Sequence, residues 1–201
     1  PQVLRAVCQS LAGHAQTSAP LVVSIAAGIT AAQIERWLGG DIKVVRSMPN
    51  TPALLGAGVT GLFASARVDA TGRAFADRLL SAAGKTVWLE DEAQMDAVTA
   101  VSGSGPAYVF LLAEAMIGAG ITEGLTPAAA RTLALQTVLG AARMLTESDV
   151  DAAELRRRVT SPNGTTQAAI ETFEAGGFRS LVDAAIHAAC VRGAQLSAAN
   201  D

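Results

Sequence analysis

Aromatic residues are scarce in this chain: they make up 4% of its 201 residues, although 50% of the residues are hydrophobic. Small apolar residues, chiefly alanine and glycine, therefore dominate, and helices built from them can pack closely within or between subunits. Cysteine is almost absent, and Cys8 and Cys190 show neither metal-binding nor redox spacing. This usage argues against a disulfide-stabilised secreted domain and fits the reducing cytoplasm.

The chain also lacks an excess of positive charge, since its formal net charge is −3. Such a balance argues against nucleic acid as a partner. The basic cluster Arg156–Arg158 is interpreted as the solvated last turn of a helix, with a phosphate or partner contact as the alternative. His14 and His187 are far apart and have no Cys, Asp or Glu at ligand spacing, so no metal site is predicted.

Long hydrophobic runs are missing as well. The most apolar stretch, residues 107–121, is interrupted by Glu114 and is shorter than the roughly 20 residues that a membrane span needs. We therefore predict a buried helix there and no membrane segment. No basic segment followed by an apolar one indicates a signal peptide. Because the sequence begins at Pro1 and not at Met, we expect an N-terminal portion to be missing.

Strand and helix patterns alternate up to about residue 92, and beyond it only helix patterns remain. Four short β-branched or apolar runs are predicted as strands: residues 21–25, 42–46, 59–64 and 85–89. The alternation predicts an α/β layered sheet over residues 1–92, of which only the second half is present. Residues 93–201 are predicted to form an alanine-rich, all-helical domain.

A polar turn, Thr160 to Thr166, lies between two predicted helices. Pro162 and Gly164 end the first helix, and Thr165 or Thr166 is predicted to cap the second. Such a turn directs unpaired backbone N–H groups and hydroxyls to one place, as helix N-termini do when they bind small anions. The turn is therefore a candidate site for a bound carboxylate.

Two further turns follow predicted strands. Residues 24–28, Ser-Ile-Ala-Ala-Gly, would let the backbone approach a flat cofactor ring. Residues 48–52, Met-Pro-Asn-Thr-Pro, place Asn50 and Thr51 directly after a strand, which is where ligands bind in open α/β sheets. The alternative is that this turn is a rigid connector with Asn50 in an Asx-turn. Residues 102–108 are interpreted as a hinge between two helices. Together, the polar turns at residues 24–28, 48–52 and 160–166 offer small residues and hydroxyls but no strong acid, base or nucleophile. Such a site is typical of hydride transfer, in which the cofactor carries the chemistry.

In this order the motifs resemble those of the Δ1-pyrroline-5-carboxylate reductase family. The similarity lies in Pro1-Gln2 and in residues 24–29, 48–52, 102–108, 160–166 and 174–181. The resemblance implies reduction of Δ1-pyrroline-5-carboxylate to L-proline with NADPH or NADH, the last step of proline biosynthesis. It implies a partial Rossmann-type N-terminal domain followed by an all-α helical dimerisation domain. It also implies a homodimer through the helical domain, with a larger ring of dimers left open.

The resemblance further implies roles for individual residues, all of them expectations at the level of sequence. Thr166 is the expected catalytic residue, with its hydroxyl at the ring nitrogen. The substrate carboxylate is expected to bind Ser161, Asn163, Gly164, Thr165 and Thr166, largely through backbone N–H groups. The cofactor is expected to contact Pro1, Ile25, Ala26, Ala27, Asn50 and Thr51.

The sequence departs from the family pattern at two places. Asn163 stands where many members have glycine, and asparagine is the next residue to tolerate a positive φ. The opening strand and the Gly-x-Gly-x-x-Gly loop are absent, so we expect roughly sixty to seventy residues, about half of a dinucleotide-binding domain, to be missing before Pro1. The chain as it stands is therefore expected to hold its cofactor poorly. Three alternatives remain at this point: a related dehydrogenase or imine reductase, a non-catalytic helical dimer, and a membrane protein.

Overall fold

The computed structural model describes residues 2–199 and divides into two compact units. The first contains the chain up to Pro106 together with residues from Ala185 onward, and the second contains Ala107–Ala184. The helices are α1 (Leu4–Ser18), α2 (Ala31–Trp37), α3 (Ala70–Leu80), α4 (Gln94–Val98), α5 (Gly105–Thr122), α6 (Pro127–Glu147), α7 (Ala152–Arg158), α8 (Thr165–Ala175) and α9 (Phe178–Ala199). The strands are β1 (Leu21–Ser24), β2 (Lys43–Met48), β3 (Gly58–Ala64) and β4 (Gly84–Trp88).

The first unit contains a four-stranded sheet in the order β1-β2-β3-β4. Strands β1 and β2 are parallel, with Ser24 opposite Arg46, so the turns that follow them leave the sheet at the same edge. Strand β3 is antiparallel to β2, and β4 is parallel to β3. The reversal at β3 follows from its short connection, residues 49–57, which is too short for the crossover that a parallel neighbour requires. The four predicted strands are confirmed to within two residues at each end.

Both faces of this sheet are covered, because neighbouring strand residues point to opposite faces. Val44 belongs to one buried cluster with Ile34 and Trp37 of α2, and Val45 belongs to another with Ala76 of α3. Both valines have no exposed surface. The predicted α/β layering is therefore confirmed.

Two glycines allow the start of β4 to approach β3 closely. Gly84 has φ +145°, and a Cβ atom there would overlap the backbone carbonyl of its partner, Gly58. A Cβ at Gly58 would in turn lie 2.8 Å from the backbone of Ala53 in the 3₁₀ turn Thr51–Leu55. Glycine is required at position 84 on both grounds, the backbone angle and the space.

Residues 102–108 do not form the predicted hinge between separate helices. Thr99–Gly103 is a π-helical segment that leads from α4 to α5 with a single residue between, and the N–H of Ser104 donates to the carbonyl of Thr99 at 2.8 Å. A side chain at position 103 would meet the methyl of Met48, 2.5 Å from the added Cβ. The glycine thus lets the π-helical segment pack on the end of β2.

The second unit buries few large side chains of its own. Among its described residues the buried apolar ones are Ala113, Ala130 and Ala134. Large side chains on α5 and α6 are exposed instead, including Phe110 at 66% and Leu139 at 54%. The prediction that residues 107–121 form a buried helix is therefore wrong within the chain. Apolar composition indicates that a surface must be covered, but it does not indicate which molecule covers it.

The helical stretch Gln94–Thr122 is long and apolar enough, by length and composition, to cross a membrane. In the structure, 6% of the most apolar 18-residue segment of this stretch is buried.

Candidate functional site

The polar turn joins α7 to α8 within the second unit. The Thr160 hydroxyl donates to the carbonyl of Arg156 at 2.6 Å, and the N–H of Gly164 donates to the carbonyl of Ser161 at 3.0 Å. Asn163 between them has φ +59°, the left-handed conformation that asparagine tolerates better than most residues. These two bonds and this backbone angle close the turn and direct the chain into α8.

Helix α8 begins without a side-chain cap. Its N-cap is Gly164, so the prediction of Thr165 or Thr166 as the cap is wrong; both threonines lie in the first helical turn. Their N–H groups donate to no backbone carbonyl in the described chain, and neither hydroxyl is hydrogen-bonded within residues 2–199. Thr165 is exposed and Thr166 is half-buried. The start of α8 therefore carries two N–H donors and two hydroxyls that can bind an anion.

Two other N–H groups of the turn are used internally. The N–H of Asn163 donates to Oε1 of Gln167 at 2.7 Å, and the N–H of Gly164 forms the bond within the turn. Ser161 is exposed at the start of the turn. Asn163 and Gly164 therefore shape the turn, whereas Thr165 and Thr166 have N–H groups that are not hydrogen-bonded within the described residues.

The basic cluster in α7 is paired with its own helix. Glu154 accepts from Nε of Arg158 at 2.9 Å and from Nε of Arg157 at 2.9 Å. These two bonds lower the pKa of the Glu154 carboxyl, and the bond with Arg158 has the larger effect. All three arginines lie in the last turn of α7, as the interpretation predicts, where cations are favoured, and two of them also pair with Glu154.

The turn after β1 is small and fixed at its start. Ser24 is buried, its hydroxyl accepts from the N–H of Ala26 at 3.3 Å, and its carbonyl accepts from the Ser47 hydroxyl at 2.9 Å. Ile25 points outward with 66% of its surface exposed, whereas Ala26 and Ala27 are half-buried. The structure therefore brings a backbone bearing only methyl groups to the carboxyl edge of two parallel strands.

Asn50, after β2, is engaged within the first unit. Its Oδ1 accepts from the N–H of Val59 at 3.0 Å, and its Nδ2 donates to the carbonyl of Ser102 at 3.2 Å. Thr51 is exposed at the start of the 3₁₀ turn. The amide of Asn50 thus ties this edge of the sheet to the π-helical segment, as a connector does. Pro1, the remaining predicted cofactor residue, lies outside the described residues.

A nicotinamide cofactor fits the sheet edge on the chemistry of these residues. A planar ring needs a flat, uncrowded backbone, which Ala26 and Ala27 provide at the strand ends where ligands bind in α/β sheets. Groups of three or more His, Cys, Asp or Glu side chains that could hold a metal ion are not found in the part of the chain that the structure describes.

Sequence reasoning missed an ion pair behind this edge in which the arginine is buried and the glutamate is half-buried. Nη1 of Arg46, which is 7% exposed, donates to Oε1 of Glu92 at 2.8 Å, and the same oxygen accepts from the N–H of Ala31 at 2.6 Å. The carboxylate joins β2, the start of α2 and the segment before α4. No local pattern marks it, because its partners are 46 and 61 residues away.

Comparison with known proteins places these features in a family. A family profile described as "Pyrroline-5-carboxylate reductase dimerisation" matches residues 92–196. The pyrroline-5-carboxylate reductases of Pseudomonas aeruginosa and Haemophilus influenzae are 58% and 44% identical to the chain, and each match covers 98% of the chain and 72% of the relative.

Solved structures give the same result. A pyrroline-5-carboxylate reductase from Coxiella burnetii superposes with a TM-score of 0.94 at 44% identity, covering 98% of this chain and 73% of that one. The Plasmodium falciparum pyrroline carboxylate reductase with NADP bound superposes with a TM-score of 0.88 at 31% identity, covering 98% and 74%.

Proposed function

The chain belongs to the pyrroline-5-carboxylate reductase family, and on that premise we propose that its polar turn binds the substrate while its sheet edge lines the cofactor. The enzyme is an oxidoreductase that reduces Δ1-pyrroline-5-carboxylate to L-proline with NADPH or NADH, the last step of proline biosynthesis. Family membership decides against the first two alternatives, a related dehydrogenase or imine reductase and a non-catalytic helical dimer.

The proposal for the substrate rests on the uncapped start of α8. The N–H groups of Thr165 and Thr166 bind the substrate carboxylate, and the exposed Ser161 adds its hydroxyl from the other side of the turn. The positive end of the helix dipole strengthens this binding. Asn163 and Gly164 contribute by shaping the turn, since their own N–H groups are engaged.

Thr166 is the proposed catalytic residue. The ring nitrogen of the protonated imine donates to its hydroxyl oxygen, which orients the C=N bond for attack at the adjacent carbon. When bound, NADPH or NADH supplies the hydride that reduces this carbon. The proton already on the nitrogen stays there as the amine forms, so no side chain has to transfer a proton during the step. A step without proton transfer from a side chain is compatible with a turn that carries hydroxyls and no acid or base.

At the sheet edge, Ile25, Ala26, Ala27 and Thr51 are the proposed cofactor contacts, together with Pro1. Asn50 acts beside them by holding Ser102 and Val59, as its two hydrogen bonds support. Small residues let the backbone itself contact the nicotinamide, so the cofactor's orientation depends on how firmly the turn is fixed.

The enzyme is a homodimer through its helical domain. The uncovered leucines, valines and phenylalanines of the second unit give the physical reason, since exposed apolar patches of this kind are covered by a partner. A ring of such dimers is a further proposal, which mass measurement in solution tests directly. The cytoplasm is the proposed location, and the two free cysteines support it.

The carboxylate site is tested by comparing two substrates with the complete gene product. Δ1-pyrroline, which lacks the carboxylate, should lose two charge-assisted hydrogen bonds worth about 3–6 kcal/mol together. Its kcat/KM should therefore be at least ~100-fold below that of Δ1-pyrroline-5-carboxylate. Equal values for the two substrates would rule out a carboxylate site in the turn.

A matched pair of variants tests the turn itself. Asn163→Gly keeps the positive φ and should leave the KM for the substrate near that of the wild type. Asn163→Val places a β-branched residue at φ +59°, a strain of about 1–3 kcal/mol, and should raise this KM without altering the KM for NADPH. Equal effects of the two variants would contradict the shaping role.

A further inference from the structure

We propose that the end of α9, residues 193–199, positions the turn at residues 25–28 and thereby sets the affinity for the nicotinamide cofactor. The proposal deepens the proposed function and rests on its assignment of this turn to the cofactor. Both segments belong to the first unit of the structure.

The turn contacts α9 at Gly28, where the turn ends. Gly28 is buried and has φ +70°, and a Cβ atom there would lie 3.2 Å from Cβ of Leu196 and 3.4 Å from the backbone nitrogen of Ser197. The backbone of α9 therefore lies directly on the backbone of the turn. Glycine is needed at this position for the backbone angle and for the close approach together.

Two further contacts fix α9 in this place. Nε2 of Gln33 donates to the carbonyl of Ser197 at 3.4 Å, and Gln33 is itself held in the capping box of α2. On the other side, a Cβ at Gly193 would lie 2.8 Å from Oδ1 of Asp96, so α9 also packs tightly on α4. The turn, α2 and α4 thus hold the end of α9 in place within the first unit.

The turn is consequently held at both ends. Ser47 and the hydroxyl of Ser24 fix its beginning, and α9 covers its end at Gly28. Ala26 and Ala27, between these points, have no side chain beyond a methyl group with which to hold themselves. If α9 loosens, the start of the turn stays in place while its end moves, and the surface offered to a planar ring changes.

Loss of this contact should weaken ground-state binding of the cofactor and leave the chemical step intact. The expected signature is a higher KM for NADPH with an unchanged kcat and an unchanged KM for the substrate. A general loss of stability behaves differently, because it lowers the active fraction and therefore kcat. The split between the two parameters separates a positioning role from a structural one.

The variant Ser197→Pro, in the complete gene product, tests the proposal. Proline removes the N–H of residue 197, clashes with the preceding helical turn and disfavours the helical conformation of Leu196. We expect the KM for NADPH to rise by about tenfold or more, with kcat within about twofold of the wild type. The control Ser197→Ala removes a hydroxyl that bonds its own helix, at the carbonyl of Gly193, and should behave as the wild type.

A second variant keeps the test valid if Ser197→Pro does not fold. Gly28→Ala strains the turn and pushes on Leu196 from the other side, and it should raise the same KM in a dimer of normal mass. An unchanged KM for NADPH in a folded variant would overturn the proposal, as would parallel losses in kcat and in both KM values.

A direct substitution separates this proposal from the one on which it rests. Ala26→Leu places a bulky side chain on the surface that should contact the nicotinamide. If Ala26→Leu raises the KM for NADPH while Ser197→Pro does not, the turn lines the cofactor and α9 does not position it. If neither variant changes this KM, the turn is not the cofactor surface and both assignments fail.

Discussion

Replacing Thr166 by alanine removes one hydroxyl from the start of α8 and should impair catalysis without loosening the fold. Gly164 and not Thr166 is the N-cap, and the hydroxyl has no hydrogen-bond partner within residues 2–199. The free energy of unfolding should therefore change by less than about 0.5 kcal/mol. The lost interaction is with the substrate: a hydrogen bond from a protonated nitrogen, worth about 1.5–3 kcal/mol. That range corresponds to a fall in kcat/KM of roughly one to two orders of magnitude.

The assay is steady-state oxidation of NADPH at varied substrate concentration, with two companion variants. Thr166→Ser keeps the hydroxyl and should restore most of the activity. Thr172→Ala removes a hydroxyl from the same helix that bonds the carbonyl of Ala168 at 2.9 Å, and should have no effect on rate. Wild-type kinetics in Thr166→Ala would refute the catalytic assignment, and equal losses in Thr166→Ser and Thr166→Ala would show that the hydroxyl is not what matters.

Three further predictions concern the fold that holds the site. Glu92→Gln removes the charge that Arg46 pairs with in a buried position, so the free energy of unfolding in urea should fall by about 3 kcal/mol; no change would mean that water reaches the guanidinium. Gly84→Ala cannot fit beside the neighbouring strand and should cost more than about 3 kcal/mol in the same measurement, and a stable variant would contradict the pairing of β3 with β4. Arg179 holds the pKa of the Glu174 carboxyl below its usual range, so the stability that this pair adds is complete at neutral pH and is lost as the pH falls through that lowered value. Arg179→Met should return the pKa of Glu174 to its usual range in an NMR titration, and an unchanged value would exclude the pair in solution.

The local elements of this fold can be predicted because their signals are local. The valines of β1 and β2 and the capping box at Thr30 and Gln33 each lie within a few residues of the structure they determine. The predicted strand positions therefore agree with the structure to within two residues.

Features that depend on distant residues cannot be predicted in this way. Glu92 meets Arg46 across 46 residues, and Gly28 meets Leu196 from opposite ends of the chain. A threonine is the expected cap of α8 because hydroxyls usually fill that position, whereas the turn places Gly164 there and leaves the threonines in the first helical turn. At the site this difference matters most, since a threonine hydroxyl that does not cap its own helix keeps its full hydrogen-bonding capacity for a substrate.

The apolar stretch of α5 shows a different limit. Its composition indicates a surface that must be covered, and Phe110 and Leu111 are nevertheless 66% exposed within the chain. Because the dimerisation profile spans this helix, we expect a second subunit to cover it, and the apolar surface itself is the sign of that partner in the sequence.

The most direct test of the proposed function is turnover by the purified dimer of the complete gene product. NADPH and Δ1-pyrroline-5-carboxylate are supplied together, and oxidised cofactor and L-proline are measured in the same sample. We expect one L-proline to form for each NADPH oxidised, and no oxidation when the substrate is withheld. A folded dimer that binds NADPH yet forms no L-proline would contradict the reductase assignment.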